Sequence, residues 1–187
     1  MIRPGARNLI SDVDGLQVGN ADDEIVRTGV TVVAPDEPAV AAVDVRGGGP
    51  GTRETDALDP TCVVDRIDAI TLSGGSVFGL EAAGAVTNWL AEKGRGFEFG
   101  SAVVPVVPSA VLFDLANGGD KDWGRAVPFQ SLGRTACDNL GRDFALGNAG
   151  AGYGAAAGPL SWLDSLRPSS RRRTSSACFR HSFGRPS

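Results

Sequence analysis

The chain changes character at Leu160, and that break limits what can fold. Residues 161–187 hold six arginines, eight serines and one acid, Asp164, with neither valine nor isoleucine. They show no 2- or 3.6-residue hydrophobic period, so they offer nothing from which to build a core. The chain's 18 basic and 22 acidic side chains are split unevenly: six and one of them lie beyond Leu160, a net +5, leaving residues 1–160 at a net −9. Two readings of this remainder compete. SRRRTS (170–175) could form a basic patch for nucleic acid or anionic lipid. Alternatively, GC-rich coding DNA translated out of frame yields the same Arg, Ser and Pro bias. The break falls in the middle of a Gly/Ala-rich pattern at 147–160, which favours the second reading. Residues 161–187 are therefore expected to be a disordered or frame-shifted tail, and no nucleic-acid partner is expected.

Residues 1–160 suit one globular domain. Glycine, 26 residues in all, is about twice as frequent as usual, which favours close backbone packing over long Leu-rich helices. The only histidine is His181, so histidine-based zinc sites and Ser–His–Asp catalysis are excluded from the foldable part. Cys62, Cys137 and Cys178 form no CxxC pair, which points to a reducing, cytoplasmic compartment. The N-terminal residues lack a signal-peptide core. The longest apolar stretch, 102–113, is interrupted by Pro105, Pro108 and Ser109 and falls well short of the ~20 residues of a membrane helix. A soluble protein with no membrane partner is expected.

Pattern and punctuation predict the elements. Residues 28–34 and 39–46 are β-branched runs separated by a Pro-rich cluster, and so read as a hairpin. GGGPG (47–51) reads as a loop, and 67–72 as a buried strand ending at SGGS (73–76). Residues 79–93 form the clearest helix, with Ala82, Ala83, Val86, Trp89 and Leu90 on one face and Gly94 as its stop. Residues 103–115 are strand-like but broken by prolines, 122–140 helical in part with Pro128 interrupting, and 144–157 a glycine-rich strand or strand pair. The sum is a layered α/β domain, with helices on one or both faces of a largely antiparallel sheet.

Three segments could carry chemistry. Ser73, Gly74, Gly75 and Ser76 lie between a strand and a helix, where backbone N–H groups can hold an anion or a developing oxyanion. The plain alternative is a tight connection that needs small residues. The segment is neither a GxGxxG nor a GxxxxGK[ST] motif, and no GxSxG elbow is present. Asn148, within GNAGAGYG (147–154), could aim its amide at a carbonyl oxygen or simply occupy a turn. Lys121, within GDKDWGR (119–125), reads either as a solvated, charge-paired lysine or as a buried one with a lowered pKa.

Taken in order, DVDGLQVGN (12–20), DVRGGGPGTRETD (44–56), LSGGSVFGLEAA (72–83), VPSAVLFDL (107–115) and GNAGAGYGA (147–155) resemble the DmpA-type aminopeptidases. That family includes β-aminopeptidases and nylon-oligomer (6-aminohexanoate oligomer) hydrolases, and the resemblance covers roughly residues 8–160. It implies an αββα sandwich like that of the N-terminal-nucleophile hydrolases, incomplete here. It also implies a precursor that cuts itself ahead of a Ser or Thr, which then attacks amide bonds with no need of histidine or cofactor. By position, Asn148 matches an oxyanion-hole asparagine and Lys121 a lysine beside the nucleophile. Phe78 stands where the nylon-oligomer hydrolases have a tyrosine, and residues 73–76 would line the same cleft. The match ends near Leu160, before any scissile Ser or Thr. Residues 1–160 are thus expected to be a large-subunit portion lacking its small-subunit partner, inactive alone and multimeric when complete. Its substrate would be a peptide or ω-amino-acid amide. The second reading is a non-catalytic fragment that associates with a partner subunit or homologue.

Overall fold

The computed structural model describes residues 3–156. Its centre is a hairpin of two eight-residue strands, β1 (Leu16–Asp23) and β2 (Thr28–Pro35), paired antiparallel from Leu16 opposite Pro35 to Asp23 opposite Thr28. The Asp23 carboxylate accepts the N–H groups of Ile25 and Val26 at 3.0 and 2.8 Å, closing the turn between them. This corrects the expected hairpin: β2 pairs with the strand before it, and residues 40–46 join no ladder. β1 is hard to see in the sequence because Gly19 and Asn20 read as turn residues. Gly19 is required by packing, since a Cβ there would collide with the Ala136 carbonyl of the overlying helix.

The strands β3 (Thr52–Arg53), β4 (Ile70–Ser73) and β7 (Ser109–Val111) complete a five-stranded sheet of order β1-β2-β4-β7-β3. All its pairs are antiparallel except β4–β7. A parallel pair needs a crossover, and α1 (Glu81–Glu92) lies within it, followed by a small hairpin of β5 (Phe97–Phe99) and β6 (Ala102–Val104). Pro128 does not interrupt a helix as expected but immediately precedes α2 (Phe129–Asp138), where its fixed φ suits a helix start.

Both helices cover one face of the sheet. Ala82, Ala83, Val86 and Leu90 of α1 and Phe129, Leu132, Ala136 and Cys137 of α2 meet Val30, Val32, Ala34 and Ala69 in one core. Burial of a side chain the size of Leu90 or Phe129 is worth roughly 1.5–3 kcal/mol. Strand side chains alternate between faces, so Val18, Asn20, Thr31, Leu72 and Ala110 point away from the helices. Over them lies a cleft of about 430 Å³, roofed by residues around Leu146 and Gly147.

Residues 144–156 form no strand. They hold a single 3-10 turn, Gly150–Gly152, because the N–H groups of Gly150 and Ala151 bond to the side chains of Asp22 and Thr31 rather than to a neighbouring strand. The expected tail at 161–187, with Cys178 and His181, lies outside the described residues. Among the described residues no helix is long and apolar enough to cross a membrane.

Candidate active site

The ends of β2, β4 and β7 converge on Asp114. This carboxylate is only 3% exposed and accepts the Thr28 hydroxyl and the Gly75 N–H, both at 2.7 Å. The rest of the loop is stitched down as well. The Gly74 N–H donates to the Gly29 carbonyl and the Ser76 N–H to the Leu112 carbonyl, each at 2.9 Å, while the Ser73 hydroxyl donates to the Gly74 carbonyl at 3.0 Å. The backbone donors of residues 74–76 are therefore engaged within the chain. Gly75 has φ +78°, and a Cβ there would run into the Phe129 ring, so this position needs glycine for conformation and for space.

Lys121 lies beside this knot. Its segment is laid along the β1–β2 turn: the Asp120 N–H donates to the Ile25 carbonyl at 2.9 Å, and the Lys121 ammonium donates to the Val26 carbonyl. Partial burial pushes the lysine pKa below its ordinary value. The nearby carboxylates of Asp114 and then Asp23 oppose that shift, and Arg27 adds to it. Asn117 ties the pieces together, donating to the Arg27 carbonyl at 2.6 Å and the Gly154 carbonyl at 3.1 Å while accepting the Gly119 N–H at 3.2 Å. Phe78, 43% exposed, meets Trp123 edge-on at 5.6 Å, and Trp123 meets Phe129 edge-on at 5.9 Å. That aromatic row joins the turn after residues 73–76 to the Lys121 segment.

Asn148 is placed differently. The backbone around it is pinned: Gly150 N–H to the Asp22 carboxylate, Ala151 N–H to the Thr31 hydroxyl at 3.0 Å, and the Ala145 carbonyl to the Asn20 amide at 3.0 Å. Its own side chain is exposed and makes no hydrogen bond among the described residues. The structure thus brings residues 73–75 and Lys121 together around Asp114, and Phe78 to the Lys121 segment through Trp123. Asn148 stands apart. The cleft is lined by Ser73 and by Gly147 and Ala149, the neighbours of Asn148, but by neither Lys121 nor Phe78.

Sequence reasoning missed Asp114, Thr28 and Asn117. The only signal was FDLAN (113–117), in which two short polar side chains close a strand run, a pattern that also serves ordinary turns. Cys137 is no alternative nucleophile, because burial pushes its thiol pKa up to about 12. Among the described residues no group of three or more His, Cys, Asp or Glu side chains is placed to hold a metal ion.

Solved structures place this architecture. The L-aminopeptidase D-Ala-esterase/amidase of Ochrobactrum anthropi, described as a variant of the Ntn hydrolase fold, superposes with a TM-score of 0.63 at 20% identity, over 83% of this chain and 46% of that one. A Burkholderia sp. β-aminopeptidase gives 0.63 at 23% identity, over 82% and 44%. The fold is thus a layered α/β fold of the Ntn-hydrolase type, of which the described residues supply a mixed sheet and the helices on one of its faces. Residues 8–161 match the model of Peptidase family S58, and the chain belongs to that family. An uncharacterised aminopeptidase of Mycobacterium tuberculosis is 48% identical over 161 aligned residues, covering 82% of this chain and 46% of that protein. A 6-aminohexanoate-oligomer endohydrolase of Kocuria sp. (strain KY2) is 35% identical over 159, covering 84% and 41%. The chain therefore spans less than half the length of these relatives.

Proposed function

We propose that residues 1–160 are the large-subunit portion of a self-processing amide hydrolase of the aminopeptidase type, and that the attacking hydroxyl comes from a polypeptide outside this portion. One observation carries this reading: Lys121 and Asn148 both lie in segments pinned by hydrogen bonds, and no Ser or Thr hydroxyl among the described residues is hydrogen-bonded to either side chain. In the complete enzyme a Ser or Thr, freed as an N-terminus by self-cleavage, attacks the amide carbonyl while its own α-amine takes the hydroxyl proton. The carboxamide N–H of Asn148 donates to the oxyanion that forms. Lys121, partly desolvated, sets the charge beside the nucleophile, while Phe78 and residues 73–76 shape the adjoining wall. The substrate is a peptide or an ω-amino-acid amide, the latter in keeping with the name of the Kocuria relative. The working form is a multimer of processed heterodimers in the cytoplasm, needs no cofactor, and binds neither nucleic acid nor membrane. The chain alone is inactive.

A second reading, a non-catalytic fragment that binds a partner subunit or homologue, draws on the apolar sheet face, where Leu72 is 39% and Leu146 67% exposed. The test is hydrolysis of amino-acid p-nitroanilides by the purified chain, alone and co-produced with the part of the M. tuberculosis relative outside its matched region. Activity only in the second case supports the proposal. Activity of the chain alone, abolished by Asn148→Ala, overturns the missing-hydroxyl reading.

A further inference from the structure

Residues 39–46, AVAAVDVR, have the composition of a strand, yet among the described residues they belong to none. In extended form their odd positions, Ala39, Ala41, Val43 and Val45, make a wholly apolar face. Their even positions carry Asp44 and Arg46, which are ion-paired at 2.6 Å. One bridge starts a ladder: Ala39 and Ile67 exchange both backbone hydrogen bonds, at 3.0 and 2.8 Å. The ladder stops there. Among the described residues, backbone N–H and C=O groups from Val40 to Arg46 bond to no other backbone group. Every residue from 42 to 50 is exposed, Val43 and Val45 by 47% and 45%. A strand-forming apolar segment whose backbone is unpaired among the described residues is a template for another strand.

We infer that residues 39–46 dock an extended strand of the polypeptide that corresponds to the rest of the relatives' length. The relatives carry more than this chain's matched length again, since the matched region is 46% of the M. tuberculosis protein. The inference rests on the proposed function in supposing that such a partner exists. It adds where the partner binds and how: by ladder hydrogen bonds along 40–46, with its own apolar side chains against Val43 and Val45.

The test uses the full chain, co-produced with the part of the M. tuberculosis relative outside its matched region, and amide hydrogen exchange of the complex against the chain alone. Binding is expected to slow exchange at alternate amides of 40–46 by about tenfold or more. Because successive N–H groups point to opposite sides, Ala42→Pro and Val43→Pro block opposite edges. At least one of them is expected to weaken the complex about tenfold. Neither removes a backbone bond made among the described residues, and circular dichroism and the melting temperature of each variant confirm its fold. A complex whose 40–46 amides exchange as in the chain alone, or that survives both prolines, overturns this inference and leaves the proposed function standing. Failure to form any complex overturns both. Slow exchange at 40–46 in the chain alone also overturns the inference, by showing that its own residues or a second copy already occupy the edge.

Discussion

The buried carboxylate of Asp114 accepts the backbone N–H of Gly75 at 2.7 Å, across 39 residues of sequence. Its other oxygen takes the Thr28 hydroxyl at the same distance, so one side chain fixes the end of β4, the start of β2 and the approach to Lys121. Its two oxygens thus answer two donors from distant parts of the chain.

Asp114→Asn tests that assignment. The amide keeps one acceptor oxygen for the Gly75 N–H but turns its NH2 group toward the Thr28 hydroxyl. That hydroxyl must then accept instead of donate and loses the acceptor for its own O–H, and the negative charge near Lys121 disappears. The expected loss of stability is about 1–3 kcal/mol, read as a lower melting temperature with the helical signal retained. An unchanged melting temperature would show that the carboxylate does not hold the loop.

Gly75→Ala is expected to cost more than a surface substitution. The left-handed backbone, φ +78°, costs an alanine about 1–2 kcal/mol, and displacing the Phe129 ring adds roughly 1–3 kcal/mol. Gly94→Ala is the control. It has a similar φ of +69° but open space around its Cβ, so only the backbone penalty applies. Urea unfolding should rank Gly75→Ala well below Gly94→Ala, and equal midpoints would rule out the steric part.

The helix of Ala82, Ala83, Val86 and Leu90 was legible because its buried face is written in spacing and its end in Gly94. The sheet was legible only in part. β1 carries Gly19, Asn20, Asp22 and Asp23, residues that local rules assign to turns, and their reasons are tertiary: Gly19 clears α2, while Asn20 and Asp22 clamp the segment bearing Asn148. Residues 39–46 fail in the opposite sense, since the local pattern is right for a strand while only Ala39 finds a bridge partner, Ile67, among the described residues. Lys121 and Asn148 could be singled out from residue type and family pattern. Asp114 could not, because its importance lies in contacts to residues 28 and 75, far away in the sequence.

Lys121 carries a pH signature. Its folded-state pKa lies below the ordinary 10.5, chiefly through burial, so between those two values the unfolded chain binds more protons than the folded one. Stability from this group therefore rises as pH climbs through that window and is lowest where the folded ammonium is fully charged. Lys121→Met removes the dependence. Denaturation midpoints of the two proteins, followed from neutral pH toward 10.5, should shift in favour of the native chain as pH rises. Parallel curves would mean that the ammonium is as well solvated in the fold as outside it.

Asn148 separates stability from chemistry most cleanly. Its side chain is exposed and bonds to nothing among the described residues, while Asp22, Thr31 and Asn20 hold the backbone around it. Asn148→Ala is therefore expected to leave the melting temperature within about a degree of the native value, since an exposed side chain without partners contributes little. If Asn148 has the proposed oxyanion role, the same change in the complete enzyme is expected to lower kcat by about 10²–10³ with little change in KM. Asn148→Asp keeps the shape but replaces the donor with a negative charge, so it should be at least as damaging. A kcat that survives both substitutions would assign the oxyanion to other donors and leave Asn148 as a turn residue. A large fall in melting temperature would instead show that its carboxamide is bonded in the native fold.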